Sequence, residues 1–397
     1  MRRAIFLFLL VLTAACSGFS QDSVWLARTT GQLPAMGYGI GTDRLGGARI
    51  GYLDSGIVIN VVDSLGSDYK VRLSASHFAY IAKANLVLLA KVAYRPPPHN
   101  PHLSGSIKVY GDSASDYVAI SLDDRYPYRS AQLLDPSRVA VDIFGINSNT
   151  NWIMQLRSAR EVRNTWYEQV EDDVFRVYIQ LRHAQHWGYS IAYDSTGKKL
   201  IVRIRRQPRV LDIRRLRIAI DAGHGGDNAG ATGVGTHIAE KEYTLLIAEQ
   251  LRKILKAAGV KNVLMTRSKD TSLTMPERIA MLKAYDSQLL VSIHLNSANS
   301  DTVSGTSTYY RYPGFRPLSE AILGRMLTLG LKEFGNIGSF NFALSGPTDY
   351  PNVLVEVAFL SNPADEKRIM RPAFRKAVAQ KIYLGIVDWL NQIKAGS

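Results

Sequence analysis

The sequence predicts an α/β domain with a mainly parallel sheet flanked by helices, preceded by one or two small all-β modules. Up to about residue 206, apolar and polar residues alternate with period two between frequent turn residues, which is typical of antiparallel strands. From Leu216 onward, short apolar runs alternate with long amphipathic segments, which is typical of parallel strands covered by helices. The chain has 397 residues, enough for two or three domains of ordinary size.

The first 20 residues have the layout of a secretory signal segment. Two arginines precede an apolar run of about ten residues and then small residues, and the run is too short for a membrane-spanning helix. The only cysteine is Cys16, which excludes a disulfide framework. Cys16 resembles the lipid-modified residue of a bacterial lipoprotein, although Thr13 stands where that pattern usually has Leu; alternatively, it is discarded when the signal is cleaved near Ser20. We therefore expect export to the periplasm or cell envelope, with lipid anchoring through Cys16 left open.

The charge of the chain limits its partners. There are 48 Lys and Arg residues against 34 Asp and Glu, giving a formal net charge of +14. This excess favours anionic partners through long-range attraction. Because export argues against nucleic acid, an acidic wall polymer or a phospholipid surface is the expected class of partner.

Two β-rich segments follow the signal. Residues 25–94 alternate on both sides of a Ser-Leu-Gly-Ser-Asp turn and predict a small β module. Residues 95–105 contain four prolines and predict a stiff linker, in which His99 and His102 are expected to be solvated because no Cys or carboxylate cluster stands nearby. Residues 106–206 predict a β-sandwich-like module. Its expected strands are SIKVYG, DYVAISL, SRVAVDIFG, DVFRVYIQL and KKLIVRIRR.

Residues 214–394 carry the α/β pattern. Residues 243–258 place apolar side chains on one helical face, and Gly259 follows where a helix would end. A second amphipathic helix is predicted at residues 374–393. The predicted strands are IAID, QLLVSIHL and NVLVEVAFL.

Three polar residues lie in or directly after these apolar strands. His224 follows IAID, His294 closes LLVSIH, and Glu356 lies inside VLVEVAF. Because ligands of open α/β sheets gather at the carboxyl ends of strands, these side chains can converge although they are far apart in sequence. Burying Glu356 as a lone ion would cost several kcal/mol, so we expect it to be paired, protonated or close to a cation.

Two histidines and one carboxylate are enough for a catalytic zinc site that keeps a position for water. Glu240 stands sixteen positions after His224 (240 − 224), before the predicted helix, and either it or Glu356 can be the ligand. The other carboxylate would then transfer protons between the water and a leaving group. His237 is a rival ligand. Asp221 and Glu242 are candidates for orienting the ligands, although a charge at a helix N-terminus explains Glu242 equally well.

Six motifs occur in a family-specific order. They are IDAGHGG, EK at 240–241, TR at 266–267, ERIAM, SIHLNS and NVLVEVAFLSNP. In order and spacing they resemble the zinc-dependent N-acetylmuramoyl-L-alanine amidases of the type 3 family, over about residues 216–393. The resemblance implies cleavage of the amide between N-acetylmuramic acid and L-alanine of the peptidoglycan stem peptide, in wall turnover or daughter-cell separation. It implies that His224, Glu240 and His294 bind Zn²⁺ and that Glu356 is the catalytic glutamate.

The resemblance carries an expectation about regulation. Some relatives have a long insertion between the last zinc ligand and the catalytic glutamate, with a helix that plugs the site until an activator displaces it. Here the interval from His294 to Glu356 is 62 positions (356 − 294), enough for one helix and its loops. We therefore expect no plug, and an activator is not required on this ground. Residues 106–206 weakly resemble the targeting modules joined to such amidases, and the preceding module weakly resembles an SH3-like barrel.

Two other functions stay open. An inactive wall-binding or regulatory protein would be expected to lack a ligand or the base, and none is missing. A zinc peptidase acting on stem peptides would share the metal chemistry and would be distinguished by its products.

Overall fold

The computed structural model describes residues 23–40, 48–93 and 102–396. The predicted signal segment with Cys16, and the linker up to residue 101 with His99, lie outside the described residues. Among the described residues, no helix combines the length and the apolar character needed to cross a membrane. The described chain has an all-β N-terminal part and a C-terminal part in which helices cover a mixed sheet, so the predicted order of an all-β part before an α/β part is confirmed.

The first β region is a single seven-stranded sheet in which all neighbouring strands are antiparallel. Its strands are β1 (Ser23–Thr29), β2 (Ala35–Gly37), β3 (Arg49–Tyr52), β4 (Val58–Leu65), β5 (Asp68–Arg72), β6 (Phe78–Ala82) and β7 (Leu86–Ala93). The order across the sheet is β3-β2-β6-β5-β4-β1-β7.

The second β region consists of a four-stranded and a five-stranded sheet. Its strands are β8 (Ile107–Gly111), β9 (Ser115–Ser121), β10 (Tyr128–Leu133), β11 (Arg138–Phe144), β12 (Ile153–Gln155), β13 (Val162–Glu171), β14 (Val174–Leu181), β15 (Tyr189–Tyr193) and β16 (Lys199–Arg205). The orders are β10-β11-β14-β13 and β12-β8-β9-β16-β15. The five strands predicted from the sequence correspond to β8, β9, β11, β14 and β16. The prediction missed β10, β12, β13 and β15.

The two β regions share one hydrophobic core. Ile57 and Val71 of the first region belong to the same cluster of buried side chains as Val118 and Phe175 of the second. Backbone hydrogen bonding also crosses the boundary, since the amide of Val58 donates to the carbonyl of Arg125 at 3.0 Å. The regions are therefore packed directly against each other.

The C-terminal domain is a six-stranded mixed sheet with five helices. Its strands are β17 (Arg217–Ala222), β18 (Asn262–Met265), β19 (Leu289–Asn296), β20 (Thr306–Tyr309), β21 (Glu333–Ile337) and β22 (Asn352–Phe359). Its helices are α1 (Glu240–Ala257), α2 (Met275–Ala284), α3 (Arg316–Leu327), α4 (Pro363–Ile369) and α5 (Pro372–Ala395). The order β18-β17-β19-β22-β20-β21 is parallel between neighbours except at β20 and β22, which run antiparallel.

Helix α1 follows from the periodicity seen in the sequence. Ile247, Leu251 and Leu255 repeat at intervals of four residues and are fully buried in the core that the sheet shares with α5. The helix begins at Glu240, three residues before the predicted start, and its C-cap is Ala258. The earlier start places the Glu240 side chain in the first turn, facing the sheet.

Between His294 and Glu356 the chain forms β20, α3 and β21. The single helix predicted for this interval corresponds to α3, whereas the segments expected to be loops contain the strands β20 and β21. Leu318, Ile322 and Met326 of α3 are buried in the domain core. Arg325 of α3 also forms an ion pair with Asp388 of α5, so this helix is held against α5 by both apolar packing and charge.

Candidate active site

The strand ends bring the predicted residues together. His224 stands two residues after β17, and Glu240 is the first residue of α1. His294 and Glu356 are directly opposite each other in the register of the neighbouring parallel strands β19 and β22. One ligand atom from each of His224, Glu240 and His294 lies within 4.8 Å of the others. Glu356 lines the same cleft.

The Glu240 carboxylate lies between the two histidines. Its Oε2 is 3.1 Å from His224 Nε2, and its Oε1 is 3.0 Å from His294 Nδ1. Each oxygen also accepts a backbone hydrogen bond, Oε1 from Leu295 at 2.9 Å and Oε2 from Ala231 at 2.8 Å. Both oxygens are thus oriented by fixed donors as well as by the imidazoles.

This arrangement favours the ionised carboxylate. Burial acts to raise the pKa of Glu240, but hydrogen bonds and charge from His224 and His294 hold that pKa well below its ordinary value. For His294, burial acts to lower the pKa, and the neighbouring Glu240 raises it above its usual range. A deprotonated carboxylate beside two imidazoles is the donor set that zinc binds at catalytic sites.

Two glycines leave the space that this cluster needs. A Cβ on Gly223 would lie 2.4 Å from His294 Cε1. A Cβ on Gly230, whose φ is +73°, would lie 2.6 Å from Glu240 Oε2 and 2.7 Å from His224 Cδ2. The backbone therefore approaches the three side chains closely because no side chain intervenes, and the cradle fits a small ion held by them.

A buried ionic network supports the backbone under His224. Arg278 donates to the His224 carbonyl at 2.6 Å, to the Ala222 carbonyl at 2.9 Å and to Asp221 Oδ1 at 2.6 Å. Arg267 donates to the carbonyls of Ala222 and Gly223, both at 2.9 Å. These carbonyls lie at the end of β17 and in the turn after it, so the two guanidinium groups fix the turn that carries His224.

Asp221 completes this network through hydrogen bonds to side chains of neighbouring elements. It accepts hydrogen bonds from Thr266 at 2.7 Å and from Ser292 at 2.6 Å, besides Arg278. Burial acts to raise the pKa of Asp221, but the charge of Arg278 and these hydrogen bonds keep that pKa below its ordinary value. Asp221 therefore acts on His224 through Arg278, a less direct contact than the sequence predicts.

The other candidates lie outside the cluster. His237, the rival ligand, is exposed and does not belong to the metal-ligand group found among the described residues. Glu242 is exposed in the first turn of α1. The group that does hold the His224 ring is Asn228, whose Oδ1 is 2.8 Å from His224 Nδ1. Nothing in the sequence singled out Asn228, which lies in the glycine-rich loop after the strand.

The four predicted residues lie in a cleft of about 370 Å³. The remaining lining residues are Ala231, Leu295, Asn296, Ser297 and Phe342. Phe342 stacks on the His294 ring with 6.3 Å between ring centroids. It was not predicted, because it lies in a loop with no motif and no strand pattern.

Comparison with known proteins decides the family. The family model described as N-acetylmuramoyl-L-alanine amidase matches residues 218–388. The germination-specific N-acetylmuramoyl-L-alanine amidase of Bacillus subtilis (strain 168) is 30% identical over 194 residues, covering 44% of this chain and 80% of that protein. The chain belongs to this amidase family. All four predicted site residues fall inside the matched amidase domain, whereas both β regions lie outside it.

Two further matches cover a similar share of this chain. The N-acetylmuramoyl-L-alanine amidase AmiC of Neisseria meningitidis serogroup B is 30% identical over 224 residues, which cover 45% of this chain and 53% of AmiC. The chain thus matches about half the length of that relative. The catalytic domain of CwlV, an N-acetylmuramoyl-L-alanine amidase from Bacillus (Paenibacillus) polymyxa var. colistinus, is 33% identical and covers 44% of this chain and 97% of its own, with a TM-score of 0.41.

Proposed function

We propose that the protein is an exported, zinc-dependent peptidoglycan hydrolase. It cleaves the amide between N-acetylmuramic acid and the L-alanine of the stem peptide, in cell-wall turnover or daughter-cell separation. The observation that carries this proposal is the His224, Glu240 and His294 cluster, with Glu356 beside it, inside a domain of the amidase family. Membership of the amidase family indicates the class of reaction, and the cluster indicates that the reaction uses a metal ion.

His224, Glu240 and His294 are the residues that would hold the zinc ion. Zinc at such a site polarises a carbonyl and lowers the pKa of a water molecule to about 7. Glu240 contributes the negative charge, and its two backbone donors fix its orientation before any ion binds. The Asn228 Oδ1 atom accepts from Nδ1 of His224 and so favours the tautomer with its proton on Nδ1. The unprotonated Nε2 of that tautomer faces the cluster.

Glu356 is the residue we assign to proton transfer. The Glu240 oxygens are already engaged by both imidazoles and by two amides, which leaves the neighbouring carboxylate for this task. Glu356 is only 4% exposed and stands opposite His294 in the sheet register. From there its carboxylate takes a proton from the attacking water and returns it to the leaving nitrogen of L-alanine.

The test is digestion of purified peptidoglycan by the mature protein, with and without a chelator, followed by mass analysis of the soluble products. We expect intact stem peptides that begin with L-alanine, lost on chelation and restored by zinc. Shortened stems would instead indicate a peptidase. No release from a protein that still binds zinc would indicate a wall-binding role or dependence on an activator.

The net charge of +14 supports a site of action close to the anionic cell wall or outer-membrane lipid. Such retention should weaken as ionic strength rises, because surface charges are screened beyond about 10 Å at 0.1 M salt. Export and lipid anchoring through Cys16 remain predictions from the N-terminal sequence.

A further inference from the structure

The loop between β21 and β22 forms one side of the active-site cleft. We call residues 338–350 the wall segment. Its Phe342 lines the cleft together with Glu356 and stacks on His294. Phe340 and Tyr309 support the Phe342 ring from behind, with ring centroids 4.5 and 5.7 Å away. The wall segment therefore presents an aromatic face beside the groups that we assign to catalysis.

The first β region holds the wall segment on both sides of Phe342. Arg311 donates to Asn341 Oδ1 at 3.2 Å and also donates to the backbone carbonyl of Arg49, linking the residue before Phe342 to β3. The Tyr52 hydroxyl of β3 is 3.5 Å from the Ala343 carbonyl, which is the weakest of these contacts.

Apolar packing strengthens the same attachment. Tyr52 and Leu33 of the first β region pack against a small cluster that contains Leu344 and Tyr350 of the wall segment. Gly346 lies so close to the Tyr52 ring that a Cβ there would be 2.8 Å from Tyr52 Cε2. The first β region thus contacts the segment through a ring as well as through hydrogen bonds.

The second β region holds the C-terminal end of the wall segment. The Tyr189 amide donates to the Thr348 carbonyl at 2.8 Å, and the Thr348 hydroxyl donates to the Tyr189 carbonyl at 2.7 Å. Gly188 allows this approach, since a Cβ there would be 2.3 Å from the Asp349 carbonyl oxygen. Both β regions, which lie outside the matched amidase domain, therefore fix a loop of the active site.

We propose that Phe342 contacts the apolar C–H and methyl groups of the substrate next to the scissile amide, and that both β regions set its position through the wall segment. The inference rests on the proposed amidase function. An aromatic ring held in place offers an apolar contact without an ordering cost at binding, and small displacements of positioning groups cost large factors in rate. The β regions then act as positioning elements for the reaction.

The test measures kcat, KM and bound zinc for a soluble muramoyl-peptide substrate. Phe342→Ala should lower kcat/KM by about tenfold or more, mainly through KM, with zinc content unchanged. Tyr52→Leu should change KM in the same direction by a smaller factor. Combining the two should add little to Phe342→Ala alone, because Tyr52 acts through Phe342. The matched control is Tyr69→Leu. Tyr69 packs against the core that the two β regions share and does not belong to the cluster that contains the wall segment, so this variant should leave the kinetics unchanged.

Wild-type kinetics in Phe342→Ala, or full additivity in the double variant, would overturn the inference while the amidase assignment stands. A wild-type protein that releases no stem peptide would overturn the proposed function, and this inference with it. If Tyr52→Leu does not fold, Arg311→Met replaces it in the double-mutant cycle, because Arg311 bridges Asn341 and Arg49.

Discussion

At the scale of single residues, the site contains two buried glutamates in different surroundings. Glu240 is 3% exposed and is contacted by two imidazoles and two backbone amides. Glu356 is almost as deeply buried, on a strand whose every residue is buried. Strand placement alone leaves open which of the two binds a metal, whereas the family resemblance implies Glu240. The contacts of Glu240 with both imidazoles favour the same choice.

This division of roles predicts different losses for different substitutions. Glu356→Gln should keep zinc and lose turnover by at least about a hundredfold, because the amide cannot accept the proton. His294→Ala should lose zinc as well as turnover. Zinc content by atomic spectroscopy, measured beside product release, separates the two effects. An active Glu356→Gln enzyme would refute the role of Glu356.

Arg278 should contribute strongly to the free energy of unfolding of the protein. It is 1% exposed, and Arg278→Met would leave the Asp221 carboxylate buried without its cation, at a cost of about 3–5 kcal/mol. Urea unfolding measures this loss, with Arg252→Met on the exposed face of α1 as the control. Adding Asp221→Asn to Arg278→Met should recover part of the loss, and no recovery would contradict the ion-pair explanation.

Residue positions were predictable where the backbone alone decides them. The C-terminal parts of β19 and β22 and the turn after β17 placed His294, Glu356 and His224 close together. The start of a helix placed Glu240 beside them. Asn228 and Phe342 were not predictable, because their contacts depend on loop paths that carry no periodic pattern. Arg278 stands in one of the motifs, but only the fold shows that its guanidinium reaches the His224 carbonyl.

At the scale of elements, the glycine-rich loop between β17 and α1 is tied to α4. The Glu366 carboxylate accepts from the amides of Gly235 at 3.0 Å and Thr236 at 2.9 Å, and from the Thr236 hydroxyl at 2.5 Å. The Val234 amide donates to the Leu360 carbonyl at 3.1 Å. The same loop supplies the Ala231 amide to Glu240, so α4 indirectly restrains a proposed metal ligand.

Removing the hydrogen bonds between Glu366 and the glycine-rich loop should disturb the site, although Glu366 is not one of the residues that we assign to it. Glu366→Ala should lower kcat/KM by between about tenfold and a hundredfold and weaken zinc binding, because the loop that orients Glu240 loses three hydrogen bonds. Steady-state kinetics and competition with a zinc chelator measure the two effects. Glu320→Ala, at an exposed position of α3, is the control and should match the wild type. Unchanged chelator competition in Glu366→Ala would contradict the restraint.

The strands of the second β region that were not predicted have a common position. β10, β12, β13 and β15 each lie at an edge of their sheet. An edge strand has one neighbour and exposes more of its side chains, so the alternation that identifies inner strands is weak. In β13, for example, the pairing with β14 is also interrupted by two register shifts, which break the period further.

At the scale of the whole molecule, the second β region and the amidase domain share a tightly packed boundary. Asp286 forms ion pairs with Arg205 and Arg217, which come from the two sides of this boundary. Trp187 and Trp389 pack at 5.1 Å between ring centroids. His186 is buried next to them, so close to Gly314 that a Cβ there would lie 2.6 Å from His186 Cδ2.

His186 should make this boundary sensitive to acid. Burial lowers the pKa of His186 from 6.5 to about 4. Between those values the unfolded chain binds the proton and the folded chain does not, so stability is lost as pH falls from 6.5 toward 4. The loss is at most roughly 3 kcal/mol, at 1.36 kcal/mol per pKa unit.

The measurement is the free energy of unfolding from pH 7.5 to 4.5 for the wild type and for His186→Gln, which carries no titrating ring. The wild type should lose more stability than the variant over this range, and the difference should level off above pH 7. Parallel curves for the two proteins would contradict a buried neutral His186.

The attachment of the wall segment also bears on how domains of this family can be exchanged. A chimera that joins these β regions to the amidase domain of a relative would bring together a foreign wall segment and the native Tyr52 and Tyr189 surfaces. Such a hybrid is expected to fold in each half and still have low activity, because the loop beside the proposed zinc ligands would not match the β regions that support it. A working chimera should therefore take residues 338–350 and the β regions from the same parent protein, although these segments are far apart in sequence.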